Sequence, residues 1–242
     1  MNITDEKPNG VAYTHVGGRS NNEDAFLAAV ADGCLLLAVA DGLGGAEAGE
    51  LASASARSTL KELFDAAPAR FDLAAAIRKA NAEIIALQQT SGKKMKTTVT
   101  ALYIRGDDAL CGHVGDSRIY LFGGDGAVLY QSVDHSVAQL HVFTGEIAPG
   151  EIRGNADRNL LTKALGDAEE CTPEMASFPA RQLHAALLCS DGFWEYVYEA
   201  EMEALLRQYA PDARRWLVAM KRKMRERQPR DCDNNTAVAV IF

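Results

Sequence analysis

The chain has 242 residues, 48% hydrophobic and 24% charged, with a formal net charge of -8. That length allows one large core burying roughly 70–75% of the unfolded surface, in an ordinary globular composition. The acidic balance argues against nucleic acid as the main partner, and no run approaches the roughly 18 apolar residues of a membrane span.

In chain order, GVAYTHVG, DAFLAAV and CLLLAVA read as strands, the last two joined by a tight hairpin at Asp32-Gly33. A helix follows over 47–64, with Leu51, Ala54, Ser58 and Leu63 at helical spacing. A second spans 71–90, with Leu73, Ile77, Ala80, Ile84 and Leu87 on one face. Strands resume with TTVTALYIRG, DALCGHVG, RIYLFG and AVLYQSV, Asp125-Gly126 making another turn. Residues 134–160 lack a sustained period and read as a flexible, Gly-rich insert. AALLCS is a strand, helices follow at about 194–208 and 212–227, and TAVAVIF closes the chain. Helices and strands cluster in separate blocks without βαβ alternation, which predicts α+β layering. There is no repeat or linker, so one domain over 1–242 is expected. The N-terminal MNITDEKPNG lacks signal-peptide regions, and Cys34, Cys111, Cys171, Cys189 and Cys232 form no C-x-x-C pair. Both features fit a reducing cytoplasm.

Two apolar strands end on Asp-Gly: LLLAVA at Asp41-Gly42 and AALLCS at Asp191-Gly192. Asp116 after ALCGHVG and Asp233 before NNTAVAVIF also sit at strand tips. If these carboxylates converge, each pair about 4 Å apart costs roughly 4 kcal/mol at an effective dielectric near 20, which divalent cations would remove. An all-oxygen donor set suits Mg²⁺ or Mn²⁺, whereas zinc calls for His or Cys. The loop after Asp41, DGLGGAEAGE, permits close backbone approach to an ion or phosphate ahead of a helix N-terminus. Alone, it reads equally well as a helix-entry loop. Arg19 is a candidate fork for phosphate oxygens. A Ser-His-Asp hydrolase is excluded: there is no G-x-S-x-G elbow, and Ser190 and Asp191 point to opposite faces of a strand.

Nine short motifs occur in order: Arg19…Glu23-Asp24, Asp41-Gly42-x-Gly-Gly, Gly49-Glu50-x-Ala-Ser53, Thr97-Thr98, Gly115-Asp116-Ser117-Arg118, Asp134-His135-Ser136, Leu161 to Gly166, Ser190-Asp191-Gly192 and Asp233-Asn234-x-Thr236. The set resembles the metal-dependent protein phosphatases of type 2C, the PPM family, in their compact bacterial form, from about residue 11 to 242. The resemblance implies a four-layer αββα sandwich of two antiparallel sheets. It implies hydrolysis of phosphoserine and phosphothreonine proteins, a water bridging two metals attacking phosphorus in line. Two core Mn²⁺ or Mg²⁺ ions and a weaker third are implied. Asp41 would bridge the core pair, Asp191 and Asp233 would complete one site, and the Gly42 carbonyl and Glu23 the other. Asp116 with Asp191 would hold the third ion, Asp24 and Asn234 would support the ligands, and Arg19 would bind substrate phosphate. Residues at about 137–160 match the family's flap. Phosphoproteins, a cognate serine/threonine kinase and a monomeric state are implied partners and form.

Two departures stand out. Relatives carry a histidine where this chain has Ala46 or Leu43, leaving a metal-bound water or His135 as proton donor and predicting retained activity, with a pH profile lacking a histidine's limb if no other histidine substitutes. Lys96 replaces a common glycine, with only a local backbone effect expected. The basic stretch at 214–230 reads as a helix burying Trp216, Leu217, Met220 and Met224, or as a docking surface for an acidic partner. Two other functional readings are a binding module without turnover and a small-molecule phosphatase.

Overall fold

The structure is a computed structural model and describes residues 9–44 and 48–242. Strand β1 (Asn9–His15) leads to a hairpin of β2 (Asp24–Ala31) and β3 (Cys34–Leu43). Asp32 and Gly33 both have positive φ (49° and 69°), the requirement of the tight turn read from their sequence. Helices α1 (Ala48–Ala66) and α2 (Leu73–Ser91) follow, α2 opened by the Asp72 side chain accepting from the Ala75 N–H at 2.9 Å. Next come β4 (Lys96–Thr97), β5 (Val99–Arg105), β6 (Asp108–Val114), β7 (Arg118–Phe122) and β8 (Val128–Gln131). Helix α3 (Val137–Thr144), β9 (Glu174–Pro179) and β10 (Ala185–Cys189) precede α4 (Asp191–Trp194), α5 (Glu199–Tyr209), α6 (Ala213–Arg227) and β11 (Asn235–Ile241).

The strands form two antiparallel sheets. One runs β1-β11-β10-β7-β8, the other β2-β3-β5-β6-β9 with β4 paired to β3. Alternation along each central strand builds three apolar layers. In β3, Leu36, Ala38 and Ala40 pack under α1 and α2, while Leu35, Leu37 and Val39 enter the layer between the sheets. In β10, Ala186 and Leu188 meet them there, and Leu187 and Cys189 face α5 and α6. The result is the four-layer αββα sandwich, α+β as expected.

Several local readings change. In α1 the buried face is Ala48, Gly49, Ala52, Ser53, Ala56, Leu60 and Phe64, whereas Leu51 and Leu63 are exposed. Ala52 and Ala56 seat this helix close against β3, and its bulky core residues are Leu60 and Phe64 rather than Leu51 and Leu63. Leu87 is likewise exposed on α2. Strand β9 went unread because, as an edge strand, it shows little apolar alternation. The aperiodic insert holds a capped helix, α3, opened by Ser136 and closed by Gly145 at φ 77°, then a 3-10 turn at Pro149–Gly154. Helix α6 buries Trp216, Leu217, Met220 and Met224 as read.

Candidate active site

The inter-sheet layer turns polar at one end of the sandwich, and strand parity dictates which residues appear there. Continuing the inward series of β3, β10 and β2 by two residues reaches Asp41, Ser190 and Asp24. Asp24 Oδ2 accepts the Ser190 hydroxyl at 2.8 Å, and the Ser190 oxygen accepts the Thr236 N–H at 3.0 Å. These bonds tie the two sheets together directly beneath a cavity.

That cavity, about 430 Å³, is lined by Arg19, Glu23, Asp41, Gly42, Asp116, Asp191, Asp233 and Asn234. Every residue expected in first contact with an ion or phosphate is therefore brought together; Asp24 lies just below. Ser20, Asn21, Asn159 and Leu161 also line it and were not singled out as site residues. Ala46 lies outside the described residues. Leu43 lines the cavity, as does Gly44.

Backbone anchors hold the carboxylates in place. The Asp41 N–H donates to Thr98 Oγ1 at 3.0 Å, and its carbonyl accepts from Thr97 Oγ1 and the Thr98 N–H, both at 2.8 Å. This explains the paired threonines. Asn234 Oδ1 accepts the Glu23 N–H at 2.7 Å, while its amide donates to the carbonyls of Val16 and Asn21. One side chain thus fastens β11's entry to both flanks of the Arg19 loop. Gly42 and Gly192 admit no side chain: a Cβ would lie 2.2 Å from the Gly49 carbonyl oxygen and 2.1 Å from that of Asn234.

Beneath Asp116, Trp194 Nε1 donates to its carbonyl at 2.9 Å. The Trp194 ring carries the Arg118 guanidinium 3.5 Å from its centroid. Arg118 makes a bidentate, fully buried pair with Asp134 at 2.7 and 2.8 Å. Asp134 is therefore an anchor for the Asp116 loop. Lys96 pairs with Asp167, away from the lining residues.

Arg19 does not stand free: its Nη2 meets Asp233 Oδ2 at 2.6 Å, a pairing the chemistry of an uncompensated carboxylate cluster favours. The remaining acids repel one another. Burial, reinforced by the neighbouring carboxylates, raises Asp41 and Asp116 well above the usual carboxylate range. Burial, then Glu195 and Asp233, pushes Asp191 up to about 7, and Asp24 rises to about 6 chiefly through burial. Asp191 Oδ1 is buried with no hydrogen-bond partner. An orphaned carboxylate oxygen amid mutually repelling acids, with no His or Cys lining among the described residues, is the donor set of a hard divalent cation.

His135 is a different matter. It is absent from the lining, stacks on His113 with ring centroids 4.8 Å apart, and its Nδ1 accepts the Gly115 N–H at 3.0 Å. Its Nε2 faces Glu174 at 3.4 Å, and donor atoms of His113, His135 and Glu174 all lie within 4.8 Å of one another. The bond from Gly115 leaves Nε2 carrying the proton, so that nitrogen donates to Glu174 and is not free to bind a metal. Burial and the neighbouring His113 hold His135 down at about 4. The expectation of His135 as a donor of the leaving-group proton is corrected: it is turned away from the cavity and neutral at pH 7.

Known proteins agree with this geometry. The sequence profile of the family described as protein phosphatase 2C matches residues 11–232. The serine/threonine protein phosphatase PstP of Mycobacterium tuberculosis is 38% identical over 193 residues, 77% of this chain but 36% of that protein. The chain thus aligns with about a third of that relative's length. The crystal structure of Stp1 from Staphylococcus aureus superposes with a TM-score of 0.87 at 26% identity, covering 98% of this chain and 96% of the other. The PstP catalytic domain, solved with two manganese ions, gives 0.81 at 32% identity, covering 97% of each chain. The chain belongs to the protein phosphatase 2C family.

Proposed function

We propose that this protein is a metal-dependent serine/threonine phosphoprotein phosphatase. The observation that carries the reading is the convergence of Asp41, Asp116, Asp191 and Asp233 on one cavity, with a buried, unpartnered oxygen on Asp191. Asp41, Asp191, Asp233, Glu23 and the Gly42 carbonyl would hold two core ions, Mn²⁺ or Mg²⁺, and Asp116 with Asp191 a weaker third. Such ions supply Lewis-acid charge neutralisation and a hydroxide-like nucleophile at neutral pH.

The chain's own groups do the rest. Asp41 and Asp191 come from facing sheets, so the sandwich sets their separation. Thr97 and Thr98 hold the Asp41 peptide, and Asn234 holds that of Glu23. Arg19 has a fork to offer phosphate oxygens once Asp233 is neutralised by a cation. Among the described residues no cysteine or histidine lines the cavity, and Ser20 is its only hydroxyl side chain. With the carboxylates committed to holding cations rather than attacking phosphorus, the reading is direct hydrolysis without a phosphoenzyme.

The 242 residues would act as one phosphatase domain. The segment at about 137–160 would serve as its flap, since Asn159 within it lines the cavity. Five free cysteines, all buried, fit a reducing cytoplasm, and no helix among the described residues is long and apolar enough to cross a membrane. A cognate serine/threonine kinase and a monomeric state complete the reading.

The test is phosphate release from phosphoserine, phosphothreonine and phosphotyrosine peptides and from small phosphoesters, with Mn²⁺ present. Turnover of the first two peptides well above the others supports the reading. Preference for a small metabolite-like ester would replace it with the small-molecule reading, and no turnover by metal-loaded protein with the binding-module one.

A further inference from the structure

We propose that α6 carries a docking surface for an acidic segment of the phosphoprotein substrate, separate from the catalytic cavity; this rests on the phosphatase reading above. Arg214, Arg215, Val218, Arg222 and Arg225 are all exposed and recur at three- and four-residue intervals from 215 onward, which places them on one stripe of the helix. The stripe lines a groove of about 740 Å³ together with Tyr209, Ala219 and one carboxylate, Asp212. Lys221 also lines it, its ammonium 3.8 Å from the centroid of the Tyr13 ring of β1.

Charge is what identifies the occupant. The chain carries a net charge of -8, yet Arg214, Arg222 and Arg225 have no acidic partner among the described residues. Only Arg215 is paired, to Asp212 at 3.4 Å. Unneutralised guanidinium groups on an acidic protein attract carboxylates. Val218, 59% exposed at the centre of the stripe, offers a contact for one apolar side chain between them. A membrane surface fits less well. An interfacial helix inserts a broad apolar face, and that of α6, Trp216, Leu217, Met220 and Met224, is already spent on the core.

The location suits substrate recruitment. Beyond α6 a short turn closed by the Cys232 N–H on the Pro229 carbonyl leads to Asp233, and the Cys232 carbonyl accepts the Gly18 N–H at 2.8 Å, beside Arg19. Both the helix's C-terminal end and β1 therefore lead toward the cavity rim. The cavity's single guanidinium, Arg19, is committed to the phosphate, so carboxylates flanking the phosphoresidue need a cationic surface elsewhere. The groove supplies it.

The double variant Arg222→Glu/Arg225→Glu tests this, because both side chains are exposed and unpaired. Binding of a fluorescein-labelled, unphosphorylated peptide of Asp, Glu and Leu is followed by anisotropy, which reads docking independently of turnover. The wild type should bind it with a strong salt dependence, and the variant about tenfold more weakly. In turnover, KM for a phosphopeptide with an acidic extension should rise about as much. KM without the extension, and p-nitrophenyl phosphate hydrolysis, should stay unchanged. Equal peptide affinity in both proteins overturns the proposal. So does co-sedimentation with phosphatidylserine vesicles, lost in the variant, without an effect on the peptide. Inactivity of both proteins on p-nitrophenyl phosphate would defeat the phosphatase reading instead, while the anisotropy still reports on the groove.

Discussion

At the scale of single residues, the site depends on where each strand stops. Asp41 continues the inward series Leu35, Leu37, Val39, so a strand with one more inward position delivers a carboxylate where the apolar layer ends. That was legible, because period-two alternation survives in the sequence. The anchors were not. Arg19 and Asp233 are 214 residues apart, as are the partners of Asn234 to within a few residues, and no local pattern announces such pairs. His135 shows the limit most clearly: the lack of histidine at positions 43 and 46 leaves it as a candidate proton donor, but its ring faces Gly115, His113 and Glu174. His135→Gln should therefore keep the shape of the pH–rate profile, alkaline limb included. Were His135 the general acid, that limb would vanish and the rate would fall by about 10²–10⁴.

At the scale of elements, α1 shows how propensity and burial part company. Its periodicity was clear, and its position was read within two residues, but the buried stripe was assigned through Leu51 and Leu63, which are 48% and 39% exposed. Ala52 and Ala56 are fully buried instead. Close packing against β3 leaves no room for larger side chains. Ala56→Leu should cost about 1–3 kcal/mol through overpacking, whereas Leu63→Ala should cost less than about 1 kcal/mol. Urea unfolding of both variants checks the order, and a larger loss for Leu63→Ala would overturn the assignment of faces. Strand β9 and helix α3 escaped notice for a related reason: neither buries a continuous face, so neither leaves a strong period.

For the whole molecule, the two sheets carry the site at the cost of like charges held together. Asp191 and Asp24 are pushed up to about 7 and about 6, Asp41 and Asp116 rise well above their ordinary range, and in every case burial is the first cause. A raised folded pKa means protons bind the folded state more tightly. The stability this gives is complete below about pH 4 and is lost as pH climbs through 6 and 7. His113 and His135, both lowered by burial, act in the opposite sense below about pH 6.5. A comparison with and without metal at each pH removes the histidine contribution. Protons compete with cations for the same oxygens, so Mn²⁺ should raise the Tm more at pH 8 than at pH 5.5. Equal increments at both would mean the ions bind elsewhere.

The central claim is that these carboxylates, loaded with divalent ions, hydrolyse a phosphomonoester. It is tested most directly by p-nitrophenyl phosphate hydrolysis with metal-stripped protein, Mn²⁺ being added back to the wild type and to Asp191→Asn. The account predicts no turnover without metal, restored turnover in the wild type, and none in a folded Asp191→Asn protein. Turnover by Asp191→Asn, or no turnover by wild-type protein shown to bind Mn²⁺, would contradict it.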